Sequence, residues 1–163
     1  MIYDKKAIYD LLEKSGIRYK IIEHKAMFCE ADEDPTLYAE DDVVIKNLFL
    51  RDSKGRHFYL IVLPLRKRAD LKKIAEELGS TRLGFASEAR LMEHLGITSG
   101  SVSPFCLLNN ESGDVPVYFD NSLKGLKSVG VHPNDNTATV LLSFDDLLKL
   151  CTANGNPVHY IDV

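Results

Sequence analysis

Two runs of strand-forming residues, 43–51 and 57–63, are separated only by Asp52-Ser53-Lys54-Gly55-Arg56. A glycine in so short a polar connection marks a β-hairpin, so the chain must build a sheet around this pair. Other segments supply both strands and helices. Asp4 caps a first helix whose apolar stripe is Ala7, Ile8, Leu11 and Leu12, with Gly16 as its stop. A short strand follows at 19–23. Asp70 caps a second helix carrying Leu71, Ile74, Ala75 and Leu78, closed by Gly79, and Ser87 opens a third through Leu95, closed by Gly96. Short extended pieces are predicted at 83–86, 105–108 and 115–119, and a turn of helix at 120–124. Strands follow at 125–132 and 137–142, divided by Pro133-Asn134-Asp135-Asn136. Ser143-Phe144-Asp145-Asp146 starts a last helix reaching about Ala153, with Gly155 as its stop, and 158–162 adds a terminal strand. Hairpins mixed with helices, without repeat or linker, predict one α+β domain over residues 1–163 on a mixed sheet.

A chain of 163 residues with 45% hydrophobic and 27% charged residues has enough apolar material for a soluble core. No apolar run approaches the roughly 20 residues that span a bilayer. The N-terminus lacks signal-peptide architecture, so a cytoplasmic protein with no membrane association is expected. Cys29, Cys106 and Cys151 are odd in number and widely spaced, which argues against a disulfide framework. His24, His57, His94, His132 and His159 show no metal-ligand spacing, and neither metal nor cofactor is expected.

The net charge of −4 hides a strong segregation. Residues 51–73 carry eight bases against two acids, whereas residues 30–42 carry seven acids and no base. Phosphate attraction follows local potential rather than net total, so the basic stretch is a candidate RNA-facing surface. A solvated hairpin and helix face explains the same charges without a ligand. The acidic stretch, broken by Pro35, reads as a loop with a helical turn near 37–40.

Three segments depart from what a plain core needs. Lys46 and Asn47 interrupt the apolar strand 43–50. By alternation Lys46 shares a face with Val44, Leu48 and Leu50, and Asn47 with Ile45 and Phe49. A lysine so placed either snorkels at a sheet edge or faces a cleft where an anion compensates it. Gly100-Ser101-Val102-Ser103-Pro104 is a glycine-to-proline loop able to turn backbone N–H groups toward a ligand, though alone it is merely a turn. His132 stands at a strand end, held extended by Pro133.

Taken in order, Lys46-Asn47-Leu48-Phe49-Leu50-Arg51-Asp52, the 100–104 loop, and His132-Pro133-Asn134 with Asn136-Thr137 resemble the YbaK-type aminoacyl-tRNA editing domains. The resembling branch is that associated with prolyl-tRNA synthetase, in particular its free-standing alanyl-tRNA(Pro) deacylases. The resemblance runs over residues 3–153 and includes Asp70-Leu71-Lys72-Lys73 and Phe85-Ala86-Ser87. It implies a mixed, barrel-like sheet with peripheral helices around a pocket for the aminoacylated end of tRNA(Pro). It also implies hydrolysis of alanine from that end while proline is spared, with prolyl-tRNA synthetase as a candidate partner. By resemblance, Lys46 engages the terminal nucleotide, Asn47 shapes the pocket, and the loop amides of Gly100, Ser101, Val102 and Ser103, ending at Pro104, hold the substrate carbonyl and ribose. His132 lines the pocket near the amino acid, as a general base or by shape. The apolar neighbours Val44 and Leu48 are expected to set the size limit with His132. Cys106 sits in the apolar run 105–108 and is read as a packed thiol rather than a nucleophile. A deacylase for cysteine or serine esters on the same fold, a non-catalytic module that captures tRNA ends and a plain interaction domain are the competing readings.

Overall fold

The computed structural model describes residues 2–163. In chain order its elements are α1 (Lys5–Ser15), β1 (Lys20–Glu23), β2 (Val43–Arg51), β3 (Phe58–Pro64), α2 (Leu71–Leu78), β4 (Gly84–Phe85), α3 (Glu88–Leu95), β5 (Val117–Asp120), β6 (Val129–Val131), β7 (Ala138–Leu142), α4 (Phe144–Cys151) and β8 (Val158–Ile161). The hairpin of β2 and β3 is the centre of a mixed sheet in the order β1-β7-β6-β2-β3-β5-β8, with β4 paired to β2 off this path. The expected α+β architecture, a mixed sheet flanked by helices, is therefore present, its strand path running from β1 at one end to β8 at the other. Asp52 sets the hairpin register. Its carboxylate accepts from the N–H groups of Arg56 and His57 and sits 2.7 Å from His57 Nδ1. These bonds, His57 first, hold its pKa down at about 2.

Strand alternation divides the apolar residues between two clusters. Ile45 and Phe49 of β2, Leu60 and Val62 of β3, and Val117 and Phe119 of β5 enter the larger one. There they meet Ile8 and Leu12 of α1, Leu91 and Leu95 of α3, and Phe144 and Leu147 of α4. Phe119 and Phe144 make an edge-to-face pair with ring centroids 5.0 Å apart, worth about 0.5–1.5 kcal/mol beyond the area buried. Leu50, Ile61 and Leu63 point to the opposite face, which Ile74 and Ala75 of α2 cover.

Several local expectations are corrected. Residues 104–109 form a 3-10 turn rather than a strand, because Pro104 opens it and the Ser103 hydroxyl caps the Phe105 N–H. The last helix stops at Cys151 with Thr152 outside the left-handed region, short of Gly155. Two 3-10 turns, Glu30–Asp32 and Pro35–Leu37, organise the acidic stretch, and the second ends where the helical turn was expected to begin. Its carboxylates serve as local caps: Asp32 accepts from Phe28 and Cys29 N–H, Asp34 from Thr36 N–H, and Asp42 from Ala39 N–H.

The feature that positions the site is the incomplete pairing of β2. On one side it runs antiparallel to β3 from Ile45 to Arg51. On the other it pairs with β6 only at Val43 and Val44, and with β4 only at Leu50 and Arg51. Between those short ladders the sheet splits, and Ile45, Lys46 and Asn47 line a cleft. The β2–β6 junction is held closed by close contact at Gly130. A Cβ added there would lie 3.0 Å from Thr139 Cγ2, 3.2 Å from Val44 Cγ2 and 3.3 Å from Leu141 Cδ2. Thr139 is pinned by its hydroxyl, which is 2.8 Å from His24 Nε2 and 2.9 Å from the Tyr38 hydroxyl, so its methyl has nowhere to swing. Gly130→Ala is expected to destabilise the protein by about 1–3 kcal/mol, as overpacking does, measured by denaturant unfolding. An unchanged midpoint would show that the junction is looser than described.

Candidate active site

The cleft beside β2 is a cavity of about 280 Å³. Ile45, Lys46 and Asn47 line it from β2, Ser99, Gly100 and Val102 from the glycine-to-proline loop, His132 from the end of β6, and Met27 and Phe28 from the connection after β1. Three segments far apart in sequence thus bring Lys46, Asn47, Gly100, Val102 and His132 together. The Lys46 side chain, half-buried, has neither an ion-pair nor a hydrogen-bond partner among the described residues. It lines the cleft where β2 has no neighbour on that side, so the open sheet edge and the cleft coincide. A neighbouring cavity of about 330 Å³ bears the carboxylates of Glu23, Asp32, Glu33 and Asp34, which disfavour phosphate on that side.

Asn47 is tied into the site by one end only. Its Nδ2 donates to the Val102 carbonyl oxygen at 3.1 Å, while its buried Oδ1 has no partner. A buried acceptor left unsatisfied costs about 1–3 kcal/mol, so the carbonyl is primed for a donor from a ligand. In the loop, the Ser101 N–H is spent on the Thr98 carbonyl at 3.1 Å. The N–H of Gly100, which lines the cavity, has no protein acceptor among the described residues.

His132 is half-buried. Its Nδ1 is 3.0 Å from the Ala138 carbonyl oxygen. A carbonyl only accepts, so Nδ1 carries the proton and the neutral ring leaves Nε2 as an acceptor. Burial depresses its pKa below the ordinary histidine value; the Ala138 bond opposes that shift and the charge of nearby His24 adds to it. The ring is therefore neutral near pH 7.

Five expected site residues lie elsewhere, among them Ser101, which does not line the cavity although its neighbours Gly100 and Val102 do. Val44 lines a separate cavity next to Pro64 and Arg66. Leu48 packs against the cluster under α2. The neighbours of Lys46 on its own strand face therefore do not bound the pocket, and Ile45, Met27 and Leu65 take that place. Ser103 and Pro104 are buried behind the loop. The Ser103 hydroxyl donates to Asn134 Oδ1 at 2.7 Å, and Asn134 Nδ2 donates to the Tyr3 carbonyl oxygen at 2.8 Å. Asn134 has φ 58°, a left-handed conformation that asparagine tolerates better than most residues. It fastens the 100–104 loop to the His132 turn. Cys106 is fully buried and burial pushes its thiol up to about 12, which leaves it inert as a nucleophile.

The basic stretch is partly answered within the protein. Lys67 binds the buried Asp120 carboxylate at 3.0 Å, and Arg66 pairs with Glu33 at 3.3 Å. Among the described residues no three His, Cys, Asp or Glu side chains are grouped to hold a metal ion, and no helix is long and apolar enough to cross a membrane.

A split sheet, an unpaired lysine, an orphaned amide oxygen and a loop amide without an acceptor meet at this one cavity. The chain matches the aminoacyl-tRNA editing domain family over residues 31–150 and belongs to it. It is 45% identical to the prolyl-tRNA editing protein ProX of Acetoanaerobium sticklandii, covering 98% of this chain and 97% of that protein. It is 30% identical to prolyl-tRNA synthetase associated domain-containing protein 1 of Bos taurus, covering 93% and 91% respectively. A crystal structure described as a candidate trans-editing enzyme for prolyl-tRNA synthetase superposes with a TM-score of 0.70 at 25% identity, covering 98% of this chain and 96% of that one.

The environment of His132 gives a direct test. An imidazole whose folded-state pKa lies below its unfolded value of about 6.5 binds fewer protons when folded. Its contribution to stability is full above that value and is lost as pH falls through the folded midpoint. NMR titration should show the Nδ1–H tautomer of His132 and a midpoint below the free value. His132→Gln should flatten the acid loss of stability over that window. A midpoint at or above the free value would contradict the half-buried, neutral ring.

Proposed function

We propose that the protein is a trans-editing deacylase that hydrolyses alanine mischarged onto tRNA(Pro) and spares proline. The observation that carries this reading is the convergence of Lys46, Asn47, Gly100, Val102 and His132 on one cavity, in a member of the editing-domain family. The 45% identity with ProX over nearly the whole chain supports proline tRNA as the carrier. Such an enzyme acts in the cytoplasm, where it meets charged tRNA, with prolyl-tRNA synthetase as a candidate partner.

An aminoacyl ester is already activated, so the protein need not supply a covalent nucleophile. Water attacks the ester carbonyl carbon, negative charge collects on its oxygen, and the C–O bond to the ribose then breaks. The ribose oxygen takes a proton to give tRNA and free alanine. In this reading the free amide of Gly100 stabilises the oxyanion, a role in which one donor is typically worth about 10²–10³ in rate. The Lys46 ammonium holds the terminal phosphate and so fixes the ester in the cavity. Asn47 Oδ1 accepts from a ribose hydroxyl, and the neighbouring hydroxyl of the substrate helps to orient the water. His132 Nε2 accepts from the amino group of the substrate or from the water, its neutrality sparing it repulsion from a cationic amine. Selection is steric. A synthetase site sized for proline forgoes only about 1–3 kcal/mol per missing methylene, so it cannot strongly reject alanine. A second site bounded by Ile45, Met27, Leu65 and His132 admits alanine and refuses the larger ring.

The test is deacylation of Ala-tRNA(Pro) beside Pro-tRNA(Pro), Cys-tRNA(Pro) and Ser-tRNA(Pro). Alanine alone should be released, and Lys46→Ala should lower kcat/KM by about 10²-fold or more, the loss expected from misplacing a bound substrate. Preferential release of cysteine or serine would keep the fold and change the substrate. Tight tRNA binding without hydrolysis of any ester would replace the enzyme with a capture module.

A further inference from the structure

Phe28 is 75% exposed, whereas Phe49, Phe105, Phe119 and Phe144 are buried. Single apolar residues on a surface need no explanation, but this one is held there. Its own N–H and that of Cys29 donate to Asp32 Oδ2 at 2.8 and 3.2 Å, and the Met27 N–H donates to the Asn136 carbonyl at 3.0 Å. The backbone on both sides is thus anchored, and the ring stands at the mouth of the cavity that contains Lys46 and His132. One ring edge rests against Gly100, where an added Cβ would lie 3.4 and 3.5 Å from Cδ1 and Cε1. The rest of the ring faces solvent. Charge divides the same cavity: Glu30 follows Phe28 on its segment, while the Lys46 ammonium comes from β2. Phosphate is therefore favoured beside Lys46, and the rim around Phe28 suits an uncharged planar group.

We propose that Phe28 is the stacking platform for the terminal purine base of the aminoacylated 3′ end. The inference rests on the editing function above and adds how the base, as distinct from the phosphate and the ester, is held. Stacking on an aromatic ring gives affinity without sequence readout, which suits a terminus shared by all tRNAs. It also restrains the nucleoside on the side of the ester away from Lys46, so that the carbonyl is located by two contacts.

The experiment uses two non-hydrolysable probes. One is 3′-amino-3′-deoxyadenosine 5′-phosphate acylated with alanine through an amide; the other is its counterpart with the base removed. Binding of each to the wild-type protein, Phe28→Ala, Phe28→Leu and Phe28→Trp is measured by calorimetry. Phe28→Ala and Phe28→Leu should weaken the adenosine probe about tenfold to a hundredfold, as loss of one base–aromatic stack does, and leave the abasic probe unchanged. Phe28→Trp should retain binding. An RNA ending in 2-aminopurine should lose fluorescence on binding to the wild type and not to Phe28→Ala. Equal losses for the two probes, or none for either, would overturn the proposal. Undiminished hydrolysis of Ala-tRNA(Pro) by Phe28→Ala, with KM unchanged, would overturn it while leaving the editing function intact. Failure of the wild-type protein to hydrolyse that ester would instead strike the function itself.

Discussion

The molecule is organised by a strand that lacks a partner along part of its length. β2 is paired with β3 from Ile45 to Arg51 on one side, but on the other it has β6 at its start and β4 at its end. A gap in a sheet leaves backbone and side-chain groups to be satisfied by whatever fills it. Here the filling is a loop that accepts from Asn47 through its Val102 carbonyl, and a cavity. The polar residues in β2 are thus a consequence of where the sheet opens. Had β6 continued alongside, Lys46 and Asn47 would interrupt a core strand to no purpose.

The second constraint is the clasp around Asn134. By bonding both Ser103 and the Tyr3 carbonyl, it fixes the relative positions of the loop, the His132 turn and the start of the chain. Oxyanion stabilisation depends on donors that are already in place, because reorganising them during the reaction would consume the benefit. A loop containing Gly100 would be mobile if left to itself. Its far end is held by a fully buried serine and by the 3-10 turn that Pro104 begins, so precision is imported from the core.

Much of this was legible from residue order. The hairpin, the caps at Asp4, Asp70, Ser87 and Ser143, and the glycine stops of the first three helices follow from local chemistry, which acts within a few residues. The association of Lys46, Asn47, the 100–104 loop and His132 was legible through resemblance rather than periodicity. What stayed hidden depends on distance in the chain. Alternation assigned Val44 and Leu48 to the face of Lys46, correctly, but the pocket opens at a sheet edge and draws on both faces. The 3-10 turn at 104–109 was mistaken for a strand because a short apolar run looks alike in either form. Phe28 gave a faint signal, Met27-Phe28 standing as an apolar pair beside an acidic loop, whose meaning needed Gly100 next to it.

The three thiols are distributed in a way that bears on how this protein can be observed. Cys106 and Cys151 are sealed in the core and burial raises both far above the range in which a thiolate forms. Cys29 is exposed on the rim of the cavity, directly after Phe28. A maleimide dye added to the folded protein will therefore react at one position. That position abuts the pocket, so the native chain carries a single attachment point beside it, with no cysteine to be engineered in or out.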